Sequence, residues 1–215
     1  LLNTGKVAVE VHFKPSSGVL SPFANARLQR YLEREILNTE RVPEGFWSPS
    51  IKFALVMQLA HLQRHFFNEG VGLKQFVDYF ILLQHSTDAE RREVASKLGS
   101  FGLKRLGGAF MWALHEVFGL ERDKMLVAPD EKMGKKVLAE VYDSGNFGLN
   151  RVNAKDLHGM NFVRRWFTNR WKSIRLMPFS PSEVFWHEIE YWRSFVKSIP
   201  LRIRHRRVSI WDLYH

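Results

Sequence analysis

The stretch from Ile51 to His85, "IKFALVMQLAHLQRHFFNEGVGLKQFVDYFILLQH", decides the fold. Two apolar, helix-forming runs flank a corner bracketed by Gly70 and Gly72, residues that permit a tight turn between helices. Ser50 or Ser48 opens the first run as N-cap, and the first run stops at Gly70. The second, "LKQFVDYFILLQH", follows at once, so the stretch reads as a helical hairpin. Packing alone does not ask for the polar groups it carries: Arg64, His65, Glu69 and Asp78. His61, Arg64 and His65 stand at i, i+3 and i+4 and therefore share one face. Asp78, on an apolar helix, is expected to receive Arg64 or His65 from the preceding helix, since a half-buried charge needs a partner. The cluster is either an ion-pair network bracing the hairpin or a ligand-facing group. His61 and His65 also have the spacing at which two imidazoles grip zinc, but the glutamate of an H-E-x-x-H pattern is missing.

Outward from this hairpin, helical patterns continue in both directions. Upstream, "SPFANARLQRYLEREIL" has Ser21 as N-cap and Pro22 at the first helical position, with Phe23, Leu28, Tyr31, Leu32 and Ile36 on one broad face. "NTERVPEGFWSPS" reads as a loop. Downstream, Thr87 and Glu90 form a capping box for "DAERREVASKLGSF". "LKRLGGAFMWALHEVFG" is a fifth helix ended by Gly119, and "DEKMGKKVLAEVYDSG" a sixth. After the loop "GNFGLNR" come "HGMNFVRRWFTNRWKSIRL" and "SPSEVFWHEIEYWRSFVKS", the latter capped by Ser180 or Ser182.

The N-terminal edge is different. In "KVAVEVHFKP", Val7, Val9, Val11 and Phe13 alternate with Ala8, Glu10, His12 and Lys14, the period of a strand, closed by Pro15. "NTGK" before it is a turn, so the chain begins inside a hairpin. A lone strand is not stable. Its further partners are expected ahead of Leu1, with the late alternating run "LRIRHRRVSI" the other choice. Alternation would place Val9, Val11 and Phe13 against the helices and leave Glu10 and His12 on an open face. The fold class is mainly α (α+β): residues 1–18 as strands of a sheet, residues 19–215 as a helical domain.

Composition bounds function. The 215 residues contain no cysteine, which removes any disulfide framework, thiolate nucleophile or thiolate metal site. No secretory signal and no run of about 20 apolar residues is found, so a cytoplasmic protein without a membrane span is expected. The net charge of +10 is uneven: residues 151–215 hold 13 Lys and Arg against 5 Asp and Glu, together with five of the seven tryptophans. Such a basic, Trp-rich end could bind phosphates or an anionic membrane surface, or could be a solvated face over a tryptophan-filled core.

Several segments together resemble a known family. "VEVHFKPS", "PFANARLQRYLERE", "HLQRHFFNEGVGLKQFVDYFILL", "EVFGL", "DSGNFG" and "PSEVFW" resemble, in order and along essentially the whole chain, the uncharacterised bacterial nucleotidyltransferase family of the polymerase-beta-type superfamily. The resemblance implies a small mixed sheet with a Gly-Ser turn, a strand bearing two carboxylates one residue apart, and a third carboxylate on a later strand. These acids hold two Mg²⁺ or Mn²⁺ ions that position a nucleoside triphosphate for in-line attack at its α-phosphate.

By that resemblance Glu10 falls where the third, metal-binding and catalytic carboxylate would be, with His12 on the same face. Arg64, His65, Glu69 and Asp78 would lie beside the cleft and either brace it or touch the phosphates of the cofactor or the acceptor. No strand with Asp-x-Asp or Asp-x-Glu is present, so the chain is expected to be the C-terminal part of a nucleotidyltransferase, inactive by itself. It would transfer NMP from an NTP to an unknown acceptor. The other reading is a helical module that binds nucleic acid or an anionic membrane through residues 151–215. Nucleic acid is the less expected partner, because no helix–turn–helix spacing with an exposed recognition face is evident.

Overall fold

A computed structural model describes residues 2–3, 8–9, 16, 18–68, 71–144, 174 and 176–204. At the N-terminal edge β1 (Leu2–Asn3) pairs antiparallel with β2 (Ala8–Val9), Leu2 opposite Val9 and Asn3 opposite Ala8. This is the hairpin expected around "NTGK". Glu10 and His12 lie outside the described residues, and so does the expected split of that strand into a packed and an open face.

Helix α1 (Pro22–Glu35) starts as its sequence dictates, with the Ser21 side chain accepting from the N–H of Ala24. Its buried stripe is Ala24, Leu28, Tyr31, Leu32 and Glu35. The expectation for Phe23 and Ile36 is corrected here: both are exposed, Phe23 at 69%. At 100° per residue Phe23 falls about a quarter-turn outside the arc of that stripe, and Ile36 is the C-cap, one residue past the last helical turn.

The segment read as a loop after α1 holds a second hairpin. β3 (Thr39–Arg41) pairs antiparallel with β4 (Trp47–Pro49), Glu40 opposite Ser48. Gly45, at φ +93°, turns the connection and donates its N–H to Val42 O at 2.9 Å. The strands are three residues long and largely exposed, so no buried alternation marked them.

Helix α2 (Ile51–Asn68) is capped by Ser50, whose Oγ accepts from Phe53 N at 3.2 Å. Helix α3 (Leu73–His85) returns against it: Phe76, Tyr79 and Leu83 are buried, and the Tyr79 hydroxyl donates to Leu55 O of α2 at 3.2 Å. The expected capping box opens α4 (Asp88–Leu98), with Thr87 N donating to Glu90 Oε2 at 2.7 Å and Glu90 N to Thr87 Oγ1 at 3.3 Å. Buried Arg91 closes the α3–α4 turn. It donates to the carbonyls of Leu83 and Ser86 and the Ser86 hydroxyl, and pairs with Asp88.

Helix α5 (Lys104–Phe118) ends at Gly119, φ +70°, as expected. After a 3₁₀ turn (Arg122–Lys124) the chain runs back along α5 into α6 (Glu131–Ser144), whose first turn is capped by Asp130. Two glycines let these helices close. A Cβ on Gly108 would lie 2.9 Å from the Ala128 carbonyl, and one on Gly134 would lie 2.3 Å from the Trp112 ring.

The last described element is α7 (Pro181–Arg204). Its length is a correction: the helix passes Pro200 and takes in the start of "LRIRHRRVSI", the run read as a candidate strand. Leu176, Phe179 and Val184 join the core made by α1 to α6, where Phe66 meets Phe179 at 4.9 Å and Phe76 meets Phe110 at 5.2 Å. The fold is mainly α, with two small antiparallel hairpins among the described residues. Among the described residues no helix is long and apolar enough to cross a membrane.

Candidate functional site

The polar face of α2 does form. The imidazoles of His61 and His65 meet edge to face with Nε2 atoms 2.9 Å apart, a separation at which one ring donates and the other accepts. Arg64, one residue before His65, is exposed on the same side. Glu69 lies outside the described residues.

Asp78 does not complete this group. It forms an ion pair with Lys74 on its own helix, Oδ2 to Nζ 3.2 Å, both side chains open to solvent. The expected cross-hairpin pairing of Asp78 with Arg64 or His65 is therefore corrected. Asp78 lies on the other side of α3 from the buried stripe of Phe76, Tyr79 and Leu83, so its carboxylate is turned toward solvent.

The acid that Arg64 influences comes from much later in the chain. Glu183, in the first turn of α7, is only 6% exposed. Its carboxylate accepts the N–H of Leu20 through both oxygens at 3.0 Å and that of Ser21 at 3.4 Å, just ahead of α1. Burial raises the Glu183 pKa above its ordinary value; the two N–H groups and the nearby Arg64 guanidinium pull it back down. A carboxylate beside the opening of a helix is also favoured by the peptide dipoles. Glu183 thus ties α7 to the start of α1, within the field of the α2 polar face. Its signal was absent from the local sequence, where a Glu three residues into a helix reads only as a cap.

A second group missed from sequence is Gln63. It is 1% exposed, and among the described residues neither its amide oxygen nor its nitrogen has a hydrogen-bond partner. Such orphan amides are rare in folded chains and are found where water, ligand or strain accounts for them.

The described residues do not fit a divalent metal centre. Among them, no three His, Asp or Glu side chains come together in a group able to hold an ion. No step through a metal is assigned to the two-histidine contact.

The sequence model of the uncharacterised nucleotidyltransferase family matches residues 2–119, from the β1–β2 hairpin through α5 to Gly119. No curated protein and no solved structure matches the chain. The matched region contains His61, Arg64, His65, Gln63 and Asp78; Glu183 lies beyond it.

Proposed function

Because the chain belongs to the uncharacterised nucleotidyltransferase family, we propose that it supplies the helical part of a cytoplasmic enzyme that moves a nucleoside monophosphate from a triphosphate to an acceptor. The single observation that supports this reading is the family match over more than half of the chain, strand hairpin and helices together. In this reading Glu10 is the carboxylate contributed by the strand edge, and His12 shares its face. His61, Arg64 and His65 border the cleft, where a guanidinium suits the phosphates of the substrate. In this reading the paired acids that would complete the Mg²⁺ or Mn²⁺ site are supplied from outside these 215 residues, since among the described residues no strand carries two carboxylates at i and i+2. The chain by itself therefore transfers no nucleotide.

The test is direct. The chain is incubated with Mg²⁺ or Mn²⁺, labelled triphosphates and a panel of hydroxyl, amine and phosphate acceptors; no labelled product is expected. Metal-dependent labelling that is lost in Glu10→Ala would overturn the reading of this chain as an incomplete centre. The native gene provides the complementary measurement. A strand encoding Asp-x-Asp or Asp-x-Glu in the same protein, outside these residues, is the expected finding.

A further inference from the structure

Arg27, Arg30 and Arg34 stand at i, i+3 and i+7 on α1, and all three are exposed. With Lys97, from the last turn of α4, they rim an open pocket of about 230 Å³ whose other lining residues are Tyr31, Ser100 and Phe101. The rings of Tyr31 and Phe101 pack 5.3 Å apart beneath it. Among the described residues none of the four cations has a carboxylate within ion-pair distance. Like charges three or four residues apart on a helix repel.

The arginines are also oriented. Arg27 Nε donates to Ser100 O at 2.9 Å, Arg30 Nε to Ala26 O at 3.2 Å and Arg34 Nε to Arg30 O at 3.1 Å. Each guanidinium is thus anchored through one N–H to a backbone carbonyl, which leaves the Nη groups, four N–H donors per side chain, for something else. Forked donors of this kind match phosphate oxygens. Seven residues of helix span about 10 Å, more than a single phosphate can reach. The apolar floor keeps the field of the cations directed outward.

We propose that the Arg27–Arg30–Arg34–Lys97 pocket binds a chain of phosphates, the shared chemistry of a nucleotide tail and a nucleic-acid strand. The inference stands apart from the nucleotidyl-transfer reading, since it needs neither metal nor turnover.

The full chain is titrated, in chelator and without divalent metal, with a labelled short single-stranded oligonucleotide and with inorganic tripolyphosphate as competitor. Two variants of equal charge change are compared: Arg30→Glu/Arg34→Glu in the pocket and Lys132→Glu/Lys136→Glu on α6. The pocket variant is expected to weaken binding about tenfold or more, and the α6 variant to leave it within about twofold. The milder Arg30→Gln/Arg34→Gln should flatten the plot of log affinity against log salt by about 1.4, two phosphate contacts at about 0.7 each. Far-UV circular dichroism confirms that each variant is folded, and the Gln pair carries the test should the Glu pair not be. Affinity that climbs with strand length assigns the site to a nucleic-acid backbone. Tripolyphosphate bound as tightly as the strand assigns it to a free phosphate tail. Equal losses in the pocket and α6 variants, or no binding by the parent chain, would overturn the proposal.

Discussion

Glu183 ties the start of α7 to the backbone just ahead of α1, 163 residues away in sequence. Its folded-state pKa lies above the ordinary value, chiefly through burial, so the folded chain holds that proton more tightly than the unfolded chain does. The sign follows: the stability from this group is fully present below the unfolded value of about 4.3 and is lost as pH rises through the raised one. Glu183→Gln keeps an acceptor but cannot ionise. Its melting temperature relative to the parent should therefore increase as pH goes from about 4 to about 7. A difference that moves the other way would mean that the Leu20 and Ser21 N–H groups and Arg64 outweigh desolvation. Glu183→Ala leaves those two N–H groups without their acceptor and should cost about 1–3 kcal/mol by denaturant melts. Gln63 makes the opposite case. Its amide is buried and unpartnered, so Gln63→Met removes a desolvation cost while nearly conserving volume. It should be neutral or stabilising by up to about 1 kcal/mol; a clear loss of stability would show that the amide is satisfied by bound water.

Between elements, α5 and α6 close on each other through glycine, and one of these glycines tests the packing. Alanine at an ordinary mid-helix glycine gains roughly 0.5–1 kcal/mol. At Gly134 the new methyl would meet the Cβ, Cδ2 and Cε3 atoms of Trp112, all within 2.9 Å, and these atoms are close to the backbone and slow to yield. Overpacking costs about 1–3 kcal/mol, so Gly134→Ala should lower stability on balance, read as a lower denaturant midpoint. Elements specified by neighbours in sequence were the legible ones. Ser21 before Pro22, Thr87 with Glu90, and Gly119 after a periodic run each act within one helical turn, and the helices begin and end there. The β3–β4 hairpin was illegible because exposed three-residue strands have no buried face to impose a period. At the candidate site, the meeting of His61 with His65 followed from i, i+4 spacing. The wrong partner for Asp78 came from assuming which face of α3 meets α2. The arginine row could have been counted along α1, but only the fold adds Lys97 and the aromatic floor.

Across the whole molecule, the core does not stop where the family match does. Leu176, Phe179 and Val184 are buried with α1 to α6, although the match ends at Gly119. A chain cut after Gly119 would expose the faces of α2 and α5 that these residues and α6 cover. It should lose a cooperative thermal transition and bind hydrophobic dye, whereas the full chain should melt in one step. The contact of Glu183 with Leu20 spans 163 residues, and synthesis is vectorial, so this contact forms late. The ribosome has released the opening of α1 long before it makes the acid that fastens it, and through that interval Leu20 and Ser21 can only be served by water. Final closure of the nascent chain must wait until the start of α7 has cleared the exit tunnel, which makes early termination upstream of Glu183 a sharper hazard for this protein than a slow start.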